Sequence, residues 1–265
     1  MSRPLLALLT DFGTADHYVG AMKGVALGIC PELTLVDITH DIPPHDVRAG
    51  ARQLAAAYTY FPAGTVFLVV VDPGVGSARR GLAVEAAEYR FVAPDNGVLS
   101  AVLDQTPARR VIELTERKFA RATISRTFEG RDRFAPAAAW LARGAAITTL
   151  GRAAPPPLRL SWPAVSERPD AIRGEVELVD HFGNLITNLE RPLVERFIGH
   201  GGVDISIGGH PVPRLVATYA EVGAGELCAL FGSSDRLEIA VSAGNAAARL
   251  GLGVGTAVQL ARPGL

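Results

Sequence analysis

The 265 residues are 48% hydrophobic and 20% charged, enough apolar material for one large core or two smaller ones. Twenty-six basic residues stand against 27 acidic ones for a net charge of -1, so nothing marks the chain for nucleic acid or an acidic membrane surface, and a small-molecule substrate is the expected partner. Cys30 and Cys228 suit neither a disulfide framework nor a zinc site, which fits a reducing cytoplasm and no bound metal; Met1 to Pro4 lead straight into an apolar strand, and no run reaches membrane-spanning length.

The first predicted strand, Leu5 to Thr10, runs into Asp11, and an alanine-rich helical stretch, Tyr18 to Ile29, follows. Leu33 to Val36 runs into Asp37 and Asp41 before a second helical stretch, Val47 to Tyr60. Thr65 to Val71 is apolar or β-branched without polar alternation, the pattern of a strand covered on both faces. It stops at Asp72-Pro73-Gly74-Val75-Gly76-Ser77-Ala78-Arg79, an acid, a tight turn and an arginine. Phe91 to Ala93 then meets Pro94-Asp95-Asn96-Gly97, and Val98 to Leu103 and Ala135 to Ala142 read as further helices. This alternation predicts an α/β domain with a largely parallel sheet over residues 1–155. Ligands of such sheets bind outside the carboxyl ends of the strands, where this pattern delivers one acid after another. Each acid also has a structural reading, because Asp before Gly or Pro is a common turn residue.

Pro155, Pro156, Pro157, Pro163 and Pro169 interrupt regular structure, so residues 156–172 read as a linker. Beyond it come short strands, Gly174 to Val179, Leu185 to Leu189, Val203 to Ile207, Leu227 to Leu230, Leu237 to Val241 and Ala257 to Leu260, so that residues 173–265 form a smaller β-barrel or sandwich. Gly251, Gly253 and Gly255 lack the Lys-Ser/Thr of a phosphate loop and read as turns.

Several blocks, taken in order, carry a resemblance. They are Leu9-Thr10-Asp11-Phe12-Gly13-Thr14, Ile38-Thr39-His40-Asp41-Ile42, Asp72-Pro73-Gly74-Val75-Gly76, Ala93-Pro94-Asp95-Asn96-Gly97, Thr127-Phe128-Glu129-Gly130-Arg131-Asp132, Asp180-His181-Phe182-Gly183-Asn184 and Gly244-Asn245-Ala246-Ala247. Over nearly the whole chain they resemble the S-adenosylmethionine hydroxide adenosyltransferase family, hydrolytic relatives of the fluorinase. The resemblance implies an N-terminal α/β domain and a C-terminal β-barrel. It also implies a homotrimer whose active sites lie between the N-terminal domain of one subunit and the C-terminal domain of its neighbour. The implied reaction is S-adenosylmethionine plus water giving adenosine and L-methionine by attack on the ribose C5′, with no metal or redox cofactor. The chemistry agrees: a sulfonium leaves as a neutral thioether, so the protein has only to position water, help deprotonate it and hold C5′ in line.

By this resemblance Asp72 and Arg79 take the first two places of an Asp-Arg-His water-activating set. Asp72 orients the water or accepts its proton, and Arg79 stabilises the developing hydroxide. The third place departs from the family, because Glu129 stands where histidine is usual. Asp72 and Glu129 sharing one water would repel each other, raising one pKa into the range of a competent base, with Arg79 or Arg131 offsetting the remaining charge. If Glu129 is instead a solvated loop residue, the protein is a sensor that binds S-adenosylmethionine or adenosine and turns it over slowly or not at all.

The resemblance places Asp11 on the ribose hydroxyls and Asp16, His17 and Tyr18 at the turn facing methionine and ribose, although His17 reads equally well as an exposed helix start. Asp180 resembles the residue that meets the methionine ammonium, and with Asn184 it brackets the stacking face of Phe182. Ser233, Ser234, Asn245 and Ala246 fall around the adenine. Gly130 completes the substrate-facing set at a position that is serine in the fluorinase. The fluorinase also carries tyrosine at the position of Asp72 and an extra loop before the block at 91 to 97; these differences, and the charge of Asp72 against a halide, favour water as nucleophile.

Overall fold

Unbroken apolar runs set the centre of the first sheet. The computed structural model describes residues 3–199 and 201–263; Met1 and Ser2, where the sequence reading began, lie outside them. The chain divides into two units that meet in sequence between Leu160 and Ser161. The first contains, in chain order, β1 (Leu5–Thr10), α1 (Tyr18–Ile29), β2 (Thr34–Thr39), α2 (Val47–Ala57), β3 (Val66–Val70), β4 (Gly81–Ala86), β5 (Tyr89–Pro94), α3 (Ser100–Gln105), β6 (Ala108–Leu114), α4 (Ala135–Ala142) and β7 (Gly151–Ala153). A π-helical turn, Gly130–Phe134, leads directly into α4.

The sheet order is β2-β1-β3-β5-β4-β6-β7. β2, β1, β3 and β5 are parallel neighbours, and every residue of β3 is buried. Alternate side chains enter opposite faces. Leu6, Leu8, Leu68 and Val70 join Met22 of α1 and Ala138 and Leu141 of α4 in one core. Phe67 and Phe91, from the intervening positions, stack with ring centroids 5.0 Å apart on the other face.

The remaining pairings, β5-β4, β4-β6 and β6-β7, are antiparallel, so the sheet is mixed, with its parallel half carrying the strand ends read from the sequence. β4 and β5 form a hairpin in which Ala86 faces Tyr89 across Ala87, held at φ 47°. A hairpin needs no crossover helix, so the period change that announces a parallel strand is absent here, and β4, β6 and β7 are not among the sequence expectations.

The second unit contains β8 (Ser166–Glu167), β9 (Ala171–Val179), β10 (Leu185–Glu190), α5 (Arg191–Ile198), β11 (Asp204–Ile207), β12 (His210–Val212), β13 (Leu227–Phe231), β14 (Arg236–Val241), α6 (Ala246–Leu250) and β15 (Ala257–Ala261). Its antiparallel order is β12-β11-β15-β9-β10-β14-β13, with β8 added against β9. Leu215, just after β12, bridges Ala229 of β13 and brings the two ends of this path together into a nearly closed barrel. Among the sequence expectations α5 was missing; Pro192 suits its first turn, and Val194 and Phe197 turn inward.

The proline-rich stretch is shared between the units. The Leu158 N–H donates to Asp95 Oδ1 (2.8 Å), the Leu160 N–H donates to Ser100 Oγ (2.8 Å), and Arg80 reaches the carbonyls of Pro155 and Pro156, so residues 155–160 are fastened to the first unit. Ser166–Glu167 already pairs in the second sheet.

Candidate active site

Thr10 of β1 stands opposite Val70 of β3 in a parallel register, so Asp11 and Asp72 emerge from adjacent strand ends. Asp95 follows at the end of β5, the next strand. The three acids have different surroundings. Asp95 is 5% exposed, bonded by Arg80 Nε (2.8 Å) and by the Leu158 N–H. Arg80 is thereby the strut of this block. Asn96 donates to the Val71 carbonyl at 2.8 Å and ties the block back to β3. The block at 93–97 is structural.

The Asp11 side chain is nearly buried as well, and its Oδ2 accepts the main-chain N–H of His45 at 2.9 Å. His45 holds a left-handed φ of 70°. Behind Asp11, Thr10 and His40 are buried and joined through Oγ1 and Nδ1 at 2.8 Å, and His40 Nε2 lies 3.0 Å from Asp37 Oδ1. Burial acts to raise the Asp37 carboxyl, but the bonds from Lys23 (2.6 Å) and His40 outweigh it and hold the group below the usual carboxylate range.

Asp72 belongs to a tighter constellation. Gly76 turns the chain back at φ 78°, with the space of a Cβ filled by the Arg126 carbonyl at 2.5 Å, so no other residue fits there. Ser77 Oγ donates to the Gly74 carbonyl (2.7 Å) and accepts the Arg79 N–H (3.2 Å). Arg79 is thus delivered onto Asp72: Nε lies 2.9 Å from both carboxylate oxygens, and Nη2 also bonds Oδ2. The same Nη2 donates to Glu129 Oε2 at 2.7 Å. Arg133, one helical turn on, approaches that oxygen at 3.6 Å.

One guanidinium therefore holds both carboxylates. The side chains of Asp72, Arg79 and Glu129 are 5%, 9% and 10% exposed. Burial alone would lower the Arg79 pKa, but the bonds and charges of Asp72 and Glu129 raise it above its ordinary value. Arg79 also lies over the Phe134 ring at 5.1 Å, and its Nη1 is enclosed without a hydrogen-bond partner among the described residues.

Two expectations change here. Glu129 is no solvated loop residue, since the π-helical turn carries it into the cluster. The second compensating cation is Arg133 rather than Arg131, whose guanidinium instead grips Asp132 at 2.7 and 2.8 Å. Asp132 is fully buried and also receives the Ser125 N–H (2.8 Å) and Arg121 (3.1 Å). These bonds overcome the upward push of burial and keep its carboxyl below the ordinary range. Asp132 pins the 121–125 loop to the π-helical turn, a structural role the motif did not announce.

The other first-unit candidates separate into contact and packing. Asp16 and His17 are exposed, and His17 sits at the start of α1 without capping it. Tyr18, 39% exposed, meets Phe128 edge-on at 5.1 Å, and Phe12 joins them, while Arg131 covers Phe128 at 4.9 Å. Gly130 is buried; a Cβ there would lie 3.2 Å from Met22 Sδ, so its service is close packing of the turn that presents Glu129.

In the second unit, Asp180 Oδ1 accepts the N–H groups of Phe182 (2.9 Å) and Asn184 (2.8 Å), and Oδ2 accepts Asn184 Nδ2 (2.9 Å). The turn leaves the Phe182 ring 72% exposed. Gly183, at φ 83°, lies against the Asn245 side chain so closely that a Cβ would fall 2.1 Å from it. Asn245 accepts the Ala248 N–H (2.7 Å) at the start of α6, and the Gly183 carbonyl accepts the Ala247 N–H (2.9 Å), so the blocks at 180–184 and 244–247 form one surface. Ala246 is fully buried and gives its side chain to the barrel core. Ser233 and Ser234 occupy the exposed turn between β13 and β14.

A family model for the SAM hydroxide adenosyltransferase N-terminal domain matches residues 6–151, and the model for that family's C-terminal domain matches residues 174–259. The chain belongs to the SAM hydroxide adenosyltransferase family. Among members and relatives, a protein from Salinispora tropica named (R)-S-adenosyl-L-methionine hydrolase is 40% identical, with 97% of each chain covered. A fluorinase from Actinoplanes sp. is 33% identical over 73% of this chain and 74% of its own. A crystal structure of an uncharacterized conserved protein from Thermotoga maritima superposes with a TM-score of 0.92 at 35% identity, covering 97% of this chain and 100% of that one. Among the described residues no group of His, Cys, Asp and Glu is assembled to hold a metal ion, and no helix is long and apolar enough to cross a membrane.

Proposed function

We propose that this protein hydrolyses S-adenosyl-L-methionine to adenosine and L-methionine, with Asp72, Arg79 and Glu129 as its water-activating set. The observation that carries the reading is the single guanidinium gripping two buried carboxylates at the carboxyl end of β3, in a chain of this family. The two carboxylates divide the labour unequally. Both oxygens of Asp72 are bonded to Arg79, so Asp72 locks the guanidinium in place. Glu129 gives only Oε2 to its cations, and Oε1 is the oxygen left to take a proton. Water loses that proton to Glu129 as its oxygen bonds to C5′; the C5′–S bond breaks and its electron pair stays on sulfur, which leaves as the neutral thioether of methionine. Nη1 of Arg79 is the donor available to the developing hydroxide. The step as written needs no metal or redox cofactor.

Asp11 retains an oxygen for the ribose hydroxyls, and the turn of Asp16, His17 and Tyr18 offers polar and aromatic contacts beside it. Asp180, Phe182, Asn184, Ser233, Ser234 and Asn245 supply the contacts to methionine and adenine, with Gly130 and Ala246 shaping the walls through their main chain. A homotrimer with active sites between subunits and a reducing cytoplasm complete the reading, the latter in keeping with the two free, buried cysteines. Halide is disfavoured as nucleophile because two carboxylates face it. The test is incubation with S-adenosylmethionine in 18O-water without halide. Label in the 5′-hydroxyl of adenosine is the expected result; adenosine without label, or none above the enzyme-free control, would defeat the proposal.

A further inference from the structure

The second unit contains a buried acid that takes no part in the proposed step. Glu238 lies on β14, opposite Leu230 on one side and Ile186 on the other, and is 5% exposed. Its Oε1 accepts the hydroxyl of Tyr219, and Asn184 Nδ2 reaches the same hydroxyl oxygen at 3.5 Å. Asn184 Nδ2 also bonds Asp180 Oδ2 at 2.9 Å. The chain of donors therefore runs one way, from the Asn184 amide to the Tyr219 oxygen and from the Tyr219 proton to Glu238. The free oxygen of Glu238 lies against Gly232, where a Cβ would come within 2.2 Å of Oε2. Among the described residues neither Glu238 nor Asp180 pairs with Lys, Arg or His.

We infer that Glu238 is a positioning residue for substrate binding, acting through Tyr219 to fix the Asn184 amide with its nitrogen turned to Asp180 and Tyr219 and its oxygen turned to accept an N–H of the ligand. An amide can flip by half a turn unless its neighbours distinguish nitrogen from oxygen. Asp180, an acceptor only, makes one half of that distinction. Tyr219 makes the other half only while Glu238 takes its proton, because a hydroxyl free to rotate can accept from the amide nitrogen or donate to the amide oxygen and so suits either orientation. Burial, together with the nearby charge of Asp180, raises the Glu238 pKa against the lowering effect of the Tyr219 bond, as suits an acid with no cation beside it. Burial and then the Glu238 bond and charge raise the Tyr219 hydroxyl pKa, which keeps its proton in place as the donor.

The inference rests on the proposal that Asn184 touches substrate, and the experiment separates the two. Steady-state kinetics with S-adenosylmethionine are compared for the wild type, Asn184→Ala, Tyr219→Phe, Glu238→Gln, Glu238→Leu and Gly232→Ala. Tyr219→Phe keeps the ring and removes one oxygen; its loss is expected in KM, about three- to tenfold, rather than in kcat. Glu238→Gln keeps an acceptor and should lose less than Glu238→Leu, and the pair Tyr219→Phe and Glu238→Leu should be non-additive because both break one chain. Gly232→Ala leaves every polar group in place and only displaces the Glu238 carboxylate, so it should raise KM in folded protein. If Asn184→Ala raises KM while the Tyr219, Glu238 and Gly232 variants lower only Tm, the relay is structural and the inference fails. If Asn184→Ala leaves KM unchanged, the underlying assignment of Asn184 fails first.

Discussion

Replacing Glu129 by glutamine changes neither volume nor reach, which makes it the sharpest probe of the acid cluster. Turned with its oxygen toward Arg79, the amide keeps the 2.7 Å contact to Nη2 and the more distant approach of Arg133. What is lost is charge. An ion pair becomes a bond from a charged donor to a neutral acceptor, a cost of about 1 kcal/mol in stability. The proton acceptor disappears as well, and general-base assistance contributes about 10²–10⁴ in rate, or roughly 3–5 kcal/mol at about 1.4 kcal/mol per tenfold. The lower half of that range is expected here, because Arg79 still faces the hydroxide and Asp72 still holds Arg79. Glu129→Gln should therefore lower kcat by about 10²–10³ while substrate affinity, measured by calorimetry, and Tm move little. Glu129→His is the companion variant: an imidazole, with an ordinary pKa of about 6.5, restores turnover and adds a limb near neutrality to the pH profile. A Glu129→Gln protein with kcat within threefold of wild type would refute the role given to Oε1, and Asp72 or bulk water would have to be the base.

Arg79→Ala leaves Asp72 and Glu129 buried without their shared cation, a loss of about 3–5 kcal/mol, so differential scanning calorimetry should show the first unit melting roughly 10 °C lower, together with a collapse of kcat. Asp132 has a folded pKa held below its unfolded value of about 3.9, so its stabilising contribution is complete above that value and is lost as pH falls through the lower folded value; acid unfolding followed by circular dichroism should begin at higher pH in the wild type than the removal of other carboxylates would explain, and this excess pH dependence should vanish in Asp132→Asn. Gly183→Ala sets a Cβ into the Asn245 side chain at a left-handed φ, so the second unit should lose about 2 kcal/mol or more, read as a lowered urea midpoint, with KM rising in parallel. Dialysis against a chelator should leave turnover unchanged; a loss restored by a divalent cation would contradict the proposed step.

Much of the architecture was legible in local sequence. Helices α1 and α4 lie where alanine-rich periodicity placed them, and β1, β3 and β5 follow apolar runs that only a sheet covered on both faces can bury. The acids at the strand ends were legible for the same reason, since a buried strand has to surrender its first charged residue at the sheet edge. Pattern alone did not separate their roles. Asp11, Asp72 and Asp95 look alike in sequence, each following an apolar run, yet Asp95 is tied to Arg80 and the proline segment while Asp72 is tied to Arg79. The difference lies in which arginine the turn at 72–80 sends to which strand end, and that depends on the left-handed Gly76 and on the register of β4 against β5.

The α/β and barrel composition, the strand-end acids and, through ordered motifs, the family follow from local sequence. The packed fold is what buries Glu129 with Arg79, makes Arg133 and not Arg131 its second cation, and sets Glu238 behind Asn184 across 54 positions of sequence. Burial of a strand or helix is set by periodicity within a few residues of chain. The partner of a charge is set by whatever elements packing brings within about 3 Å, and a one-dimensional pattern does not encode that distance.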